Sequence, residues 1–174
     1  MKNNCCFIGH RKINTSAVLI DKLTNVISDL IVNNNVKEFL FGSKSEFDDL
    51  CYKIVTQLKE KHPYIKRVYA RANYDEIDKK YQEHLLQYFE DSYCSEKVVN
   101  SGRLSYIKRN QDMIEKSDYC IFYYDSSYVP TVKKMSRHNI NVFQPNSGTR
   151  VAFEYALKKR KTVYNVFDLI NKEK

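Results

Sequence analysis

The sequence predicts an α/β protein with a Rossmann-like three-layer αβα sandwich and a mostly parallel sheet. Short apolar segments alternate along the chain with longer segments whose apolar residues recur at helical spacing. The four glycines all stand at junctions between these segments, where the backbone must turn or be approached closely. Because 174 residues suffice for one domain with a sizeable core, we expect a single domain over residues 1–174.

The first half of the chain is predicted to alternate three strands with three helices. Thr15 or Ser16 can cap the first helix, and proline at position 63 ends the second because it has no backbone N–H. The strands are predicted at residues 5–8, 36–41 and 65–70, and the helices at residues 16–33, 46–61 and 75–89.

The second half contains two further strands and two further helices. The helices are predicted at residues 104–116 and 149–159, and the strands at residues 119–124 and 162–166. Residues 90–102, rich in tyrosine, serine and charge, are predicted as a loop. Residues 126–146 are predicted as irregular, with a short strand at 142–144.

Composition excludes several classes of protein. No apolar run approaches the roughly 20 residues of a membrane-spanning helix, and no signal-like stretch begins the chain, so we expect a cytoplasmic protein. Five cysteines, three of them in apolar segments, favour reduced and buried thiols. Without a CxxC pair or histidines at ligand spacing, we expect neither a metal site nor a cofactor. The net charge of +8 favours acidic partners, including nucleotides and nucleic acid.

Gly9, His10 and Arg11 follow the first predicted strand. Ligands of parallel sheets bind beyond the carboxyl ends of the strands, where the strand order reverses. The next helix begins nearby, and its free N–H groups and dipole favour an anion beside Arg11. In the alternative interpretation, His10 caps the sheet and Arg11 pairs with a carboxylate such as Asp48.

A second polar cluster follows the second strand. Gly42 provides the turn, Ser43 or Ser45 caps the helix, and Asp48 lies in its first turn. Asp48 can face a ligand or simply complement the helix dipole. Phe47 is predicted to lie in the core.

The third cluster lies on the helix before the most apolar strand. Arg109 and Met113 are four residues apart and share one helical face, and Asn110 and Ile114 share the next. These side chains either face the carboxyl edge of the sheet or form a solvated surface.

Ser147, Gly148 and Thr149 enter the helix that follows the irregular segment. Such a turn offers backbone N–H groups and two hydroxyls to a phosphate. The alternative is an ordinary helix cap followed by a surface pair of Arg150 and Glu154, which are four residues apart.

The motifs FIGHR, FGSKSEFD, RNQDMIEKSDYCIFYYD and SGTRVAFEYA, in this order and at these distances, resemble the SLOG superfamily and within it the YpsA-like bacterial proteins. The resemblance spans residues 5–166 and implies a bacterial or phage protein with a Rossmann-like fold that binds nucleotides or nucleotide-derived signals. Ser117 and Asp118 also match the third motif. The candidate ligand-binding residues are Gly9, His10, Arg11, Gly42, Phe47, Asp48, Arg109, Asn110, Met113, Asp125, Ser147, Gly148 and Thr149.

Two departures from the superfamily pattern matter: the first puts more side chain and charge into a loop, and the second weighs against hydrolytic chemistry. The second motif usually resembles GxxxGxD, whereas here Lys44, Ser45 and Glu46 follow the glycine. The phosphoribohydrolases of the superfamily carry PGGxGTxxE, with glutamate three positions after threonine, whereas here Glu154 follows Thr149 by five.

The leading hypothesis is therefore a nucleotide-binding protein that senses, sequesters or transmits a signal. The Ser147 turn and Arg11 would hold a phosphate, a tyrosine or Phe47 would stack on the base, and Arg109 and Asn110 would orient the sugar or a second phosphate. One alternative is an N-glycosidic hydrolase for nucleoside monophosphates, with Glu154 or Asp48 as the catalytic carboxylate. Another is single-stranded nucleic-acid binding, which the charge and the tyrosines would support. Related proteins often dimerise, so a homodimer is expected.

Overall fold

The computed structural model describes residues 3–72, 79–129 and 147–171. The strands are β1 (Asn4–Gly9), β2 (Glu38–Phe41), β3 (Lys66–Arg71), β4 (Asp91–Cys94), β5 (Tyr119–Tyr123) and β6 (Thr162–Asn165). The helices are α1 (Ala17–Val32), α2 (Glu46–Lys61), α3 (Lys79–Leu86), α4 (Ser105–Lys116), α5 (Gly148–Lys158) and α6 (Val166–Asn171). Two short 3-10 turns, Glu96–Val98 and Gly102–Leu104, connect β4 to α4.

The strands form one parallel sheet in the order β4-β3-β2-β1-β5-β6. From β1 the chain moves outward to β4, then returns to place β5 on the other side of β1. The strand order therefore reverses between β1 and β5, which is where doubly wound sheets bind ligands. The predicted fold class is confirmed.

Helices cover both faces of this sheet because side chains alternate along each strand. Cys5 and Phe7 pack with α1, α2 and α6 on one face, whereas Cys6 and Ile8 pack with α4 and α5 on the other. The central strands β1, β2 and β5 are buried on both sides, which explains why their sequences are nearly continuous apolar runs.

The helices between parallel strands run back against them, so α1, α2, α4 and α5 all begin at the carboxyl edge of the sheet. Serine side chains cap three of these helices by accepting a backbone N–H three residues later: Ser16 in α1, Ser45 in α2 and Ser147 in α5. The positive ends of several helix dipoles are thereby gathered along one edge.

The prediction of a loop over residues 90–102 is partly wrong, because residues 91–94 form strand β4 beside β3. This strand lies at the sheet edge and is paired on one side only, so a polar sequence suffices for it. Helix α6 was not predicted. The first residues of the predicted helix at 75–89 and the predicted strand at 142–144 lie outside the described residues.

Within the described ranges, no helix is long and apolar enough to cross a membrane. The same ranges contain no group of three or more histidine, cysteine, aspartate or glutamate side chains placed to hold a metal ion.

Candidate functional site

His10 joins the two strands at the reversal point. Its backbone N–H donates to the Tyr123 carbonyl at 3.2 Å, and its Nε2 accepts the Asp125 backbone N–H at 3.0 Å. The ring stacks on Tyr128, with centroids 4.0 Å apart, and only 2% of the residue is exposed. Burial lowers the pKa of His10, which favours the neutral ring that can accept this hydrogen bond. His10 therefore caps the sheet, as one of the two sequence interpretations proposed.

The carboxylate of Asp125 closes the turn after β5. It accepts the Ser127 backbone N–H at 2.8 Å and the Ser127 hydroxyl at 2.6 Å. Both the backbone and the side chain of Asp125 are thus used to fix the chain next to His10.

Gly9 allows α2 to pack closely on the end of β1. A Cβ at this position would lie 2.7 Å from the Phe47 Cβ and still closer to the Phe47 ring. Phe47 itself is fully buried and contacts Tyr123 at a centroid distance of 5.9 Å. The Phe47 ring lies in the core and is not available to stack on a ligand base. Of the two expected stacking groups, Phe47 or a tyrosine, a tyrosine remains.

Arg11 is exposed at the carboxyl edge. Its carbonyl accepts the Glu46 N–H at 2.9 Å, and the Ile13 N–H donates to Glu46 Oε2 at 3.0 Å, which ties the loop after β1 to the start of α2. Among the described residues no hydrogen bond or ion pair involves the Arg11 guanidinium, and it does not pair with Asp48. The side chain is available to an anion.

Asp48 is a buried carboxylate, only 3% exposed. One oxygen, Oδ2, accepts the hydroxyls of Ser43 and Ser45, the latter at 2.7 Å. The other, Oδ1, is buried and has no hydrogen-bond partner in the described part of the chain. Burial raises the pKa of Asp48 to about 6, although the two serine hydroxyls and the charge of Arg109 act in the opposite direction. This carboxyl group can therefore exchange a proton near neutral pH.

Arg109 is also buried, with 4% exposure, so it does not belong to a solvated helix surface. Its Nη1 donates to the Gly42 carbonyl, and its Nε and Nη2 donate to Asn110 Oδ1 at 3.2 and 2.9 Å. Burial lowers the pKa of Arg109, and the nearby Asp48 opposes this by favouring the charged form. A Cβ at Gly42 would lie 2.6 Å from Met113 Sδ and 2.8 Å from Arg109 Nε, so glycine is needed for this approach.

Tyr106 and Tyr69, neither of which was a candidate site residue, lie near Arg109, and Tyr81 lies near Tyr69. Tyr106 lies beside the guanidinium, 5.4 Å from its centre, and is 61% exposed. Tyr81 is 43% exposed. The pKa of Tyr69 is raised by burial and then by Tyr81, with Tyr106 also close enough to contribute. One local signal was available, because Tyr106 precedes Arg109 by one helical turn.

The N-terminus of α5 carries the fourth motif. The Ser147 hydroxyl accepts the Arg150 N–H at 3.1 Å. The first N–H groups of a helix have no acceptor within it, so those of Gly148 and Thr149 are left for an acceptor outside the helix. A Cβ at Gly148 would meet no atom of the described residues within 4 Å, so none of these residues covers the backbone here.

Glu154 lies on the outer face of α5. Its carboxylate accepts from Arg150 Nε at 2.8 Å, and the two side chains are 56% and 50% exposed. This is the surface pair that the spacing of the two residues suggested. Of the two candidate carboxylates, Glu154 and Asp48, only Asp48 is buried.

Ser117 and Asp118 lie at the opposite, amino edge of the sheet, where α4 ends and β5 begins. The Asp118 N–H donates to the Asn4 carbonyl at 2.9 Å, and its own carbonyl accepts the Thr162 N–H at 3.1 Å. This part of the third motif supports the entry into β5 and is not part of the edge that carries Arg11.

Fold and site together define a Rossmann-like α/β protein with a buried carboxylate and guanidinium, and with several helix N-termini, along the carboxyl edge of its sheet. No protein-family model matches the chain, and no curated protein shows significant sequence similarity to it. The SLOG resemblance therefore stays a prediction from motifs.

Proposed function

We propose that this protein binds a nucleotide or nucleotide-derived signalling ligand at the carboxyl edge of its parallel sheet, as a sensor, sequestering or regulatory protein. The carrying observation is that Arg11 and the bare backbone of Gly148 lie at the edge where the strand order reverses. Parallel sheets bind their ligands at this place, and both groups suit a phosphate.

The phosphate would lie against the N-terminus of α5. The N–H groups of Gly148 and Thr149 would donate to it, and the planar fork of Arg11 would donate two further hydrogen bonds. Because Gly148 has no Cβ, phosphate oxygens can approach the backbone there closely.

Arg109 would favour the ligand through its charge and not through a direct contact. Arg109 is already bound to Gly42 and Asn110 and cannot move freely toward a phosphate. Its fixed positive charge near the edge favours an anionic ligand, since charges in a buried environment are weakly screened.

The first test is thermal stabilisation of the purified protein by a panel of mononucleotides, dinucleotides, cyclic nucleotides and ADP-ribose. A ligand at 100 times its dissociation constant adds about 2.7 kcal/mol to the unfolding free energy. We expect the shift to be lost in Arg11→Ala and kept in Lys37→Ala, which removes one exposed positive charge outside the site. If no compound stabilises the protein, the proposal fails and single-stranded DNA becomes the next candidate ligand.

A second variant tests the phosphate position. Gly148→Ala adds a methyl group that meets none of the described residues, so the fold should keep its stability, but the methyl group would obstruct a phosphate on the helix N-terminus. Weaker nucleotide binding with unchanged unfolding is the expected result. Unchanged binding would place the phosphate elsewhere.

The raised pKa and the unpartnered oxygen of Asp48 favour one alternative, hydrolysis of the N-glycosidic bond of a nucleoside monophosphate. Asp48 would take the proton of a water molecule that attacks the sugar carbon, and the base would leave with a proton from solvent. Chromatography of the bound nucleotide decides this: free base released by the wild type and by Asp49→Asn, but not by Asp48→Asn, would establish an enzyme. Intact nucleotide would leave the protein a binder.

We also propose that the protein is cytoplasmic and forms a homodimer. Sedimentation analysis across a concentration series, with and without the stabilising nucleotide, would measure the oligomeric state. A monomer under every condition would contradict the dimer.

A further inference from the structure

Helices α4 and α5 begin side by side at the carboxyl edge. They pack against each other on the same face of the sheet, where Glu115 of α4 accepts the Tyr155 hydroxyl and lies 3.6 Å from the Lys159 ammonium. They have similar lengths, 12 and 11 residues, and lead into the neighbouring strands β5 and β6, in which Tyr119 is paired with Thr162. The two helices therefore run side by side in the same direction, and both of their N-termini lie at the carboxyl edge.

Tyr106 stands at the N-terminus of α4. The Arg109 guanidinium lies against its ring at 5.4 Å, and Arg109 is itself held by the Gly42 carbonyl and by Asn110. The ring is thus supported by a buried, fixed cation, while 61% of the residue remains exposed. An exposed aromatic ring held in place in this way is a surface on which a planar heterocycle can stack.

The surroundings of Tyr106 are also suited to a heterocycle. Tyr69 and Tyr93 also lie close enough to Arg109 to affect its pKa, and Tyr81 lies near Tyr69. Helix α4 packs against α5, at whose N-terminus no described residue covers the backbone of Gly148.

We propose that Tyr106, supported by Arg109, is the base-stacking subsite for a nucleotide whose phosphate lies on the N-terminus of α5. The inference rests on the proposed function and makes it more specific. Axes of packed neighbouring helices usually lie about 8–10 Å apart, a separation that a nucleoside monophosphate can bridge from phosphate to base. Since stacking accepts every base, the subsite should bind all four nucleoside monophosphates, and purines more tightly because their larger rings overlap more.

The test compares the dissociation constants of AMP, GMP, CMP and UMP with that of ribose 5-phosphate, measured by calorimetry. In the wild type a base should strengthen binding about tenfold or more. Tyr106→Ala should abolish this advantage and leave the affinity for ribose 5-phosphate unchanged, whereas Tyr106→Phe should keep it. Tyr64→Ala is the control, because Tyr64 is a comparably exposed tyrosine (50%) between α2 and β3.

Each of the other possible results contradicts base stacking on Tyr106 for a different reason. If Tyr106→Ala keeps the advantage of the nucleotides, or if the wild type shows none, the base does not stack there, although the phosphate site stands. If Tyr106→Ala weakens ribose 5-phosphate equally and lowers the melting temperature, Tyr106 belongs to the scaffold. If the wild type binds neither nucleotides nor ribose 5-phosphate, the proposed function fails together with the subsite.

Discussion

At the scale of single residues, two glycines of the carboxyl edge are required by packing and a third is not. Gly9 admits Phe47, and Gly42 admits Arg109 and Met113. At Gly148, no described residue occupies the place where a side chain would stand. The sequence placed all three at junctions, but their different roles depend on residues that are distant along the chain.

Gly9→Ala should destabilise the fold by about 1–3 kcal/mol, as overpacking of a dense core usually does. The added methyl group would overlap the Phe47 side chain, which has no room to move because it is fully buried. Urea unfolding measures the loss, with Gly148→Ala as the matched control. Equal midpoints for Gly9→Ala and the wild type would show that α2 is not packed as described.

Asp48 should make stability fall as pH rises. Its folded-state pKa of about 6 lies above the ordinary value of 3.8, so between these values the folded state binds more protons than the unfolded state. The unfolding free energy then decreases across this window, by on the order of 3 kcal/mol in total.

Urea unfolding from pH 4 to pH 7 tests this expectation through differences between variants. Asp48→Asn should lack this component of the pH dependence, and Asp49→Asn, an exposed neighbour in the same helix, should retain it. Parallel curves for the wild type and Asp48→Asn would contradict the raised pKa.

At the scale of secondary-structure elements, helix α2 matches its predicted bounds and strand β4 was missed. The start of α2 follows from the Ser45 cap and its end from the proline at position 63, which are both local signals. Strand β4 has no comparable signal, because Asp91–Cys94 becomes a strand only by pairing with β3.

The serine caps of α1 and α2 should contribute different amounts to the free energy of unfolding. Ser16→Ala removes one cap, at a cost of about 1 kcal/mol. Ser45→Ala removes a cap and also the hydroxyl that donates to the buried Asp48, so its cost should be greater by roughly 1–2 kcal/mol. Thermal unfolding of the two variants at neutral pH compares them, and equal losses would show that the bond to Asp48 adds nothing.

From the sequence, the candidate site could be placed at the carboxyl ends of neighbouring strands, but the contacts between its side chains could not be predicted. The Ser45 cap beside Asp48 is local and follows from the spacing. By contrast, the bond between His10 and the Asp125 N–H and the contact of Arg109 with Gly42 join residues far apart in the chain. Periodicity gives no information on such pairs until the strand order is known.

At the scale of the whole molecule, the sheet is covered on both faces and conceals most of the thiols. Cys5, Cys6, Cys51 and Cys120 are buried, whereas Cys94 at the edge strand is half-buried. All five cysteines lie in the described ranges, and the expected burial of thiols is confirmed for four of them.

A thiol reagent applied to the native protein should modify Cys94 first. The four buried thiols should react only as fast as the structure opens, because Cys5 and Cys51 lie in the core on one face of the sheet and Cys6 and Cys120 in the core on the other. Mass spectrometry of the labelled peptides over time measures both rates. Rapid labelling of Cys6 or Cys120 in native buffer would contradict the covered face formed by α4 and α5.

The position of β1 also has a consequence for synthesis on the ribosome. This strand is translated first but stands in the interior of the sheet, between β2 and β5. A nascent chain that has not yet reached Tyr119 already carries Arg11 and Asp48, but the far side of β1 is uncovered and His10 lacks its partner from the turn after β5. The carboxyl edge is therefore completed late in translation, so a partly made chain would lack the finished edge at which we propose that the nucleotide binds.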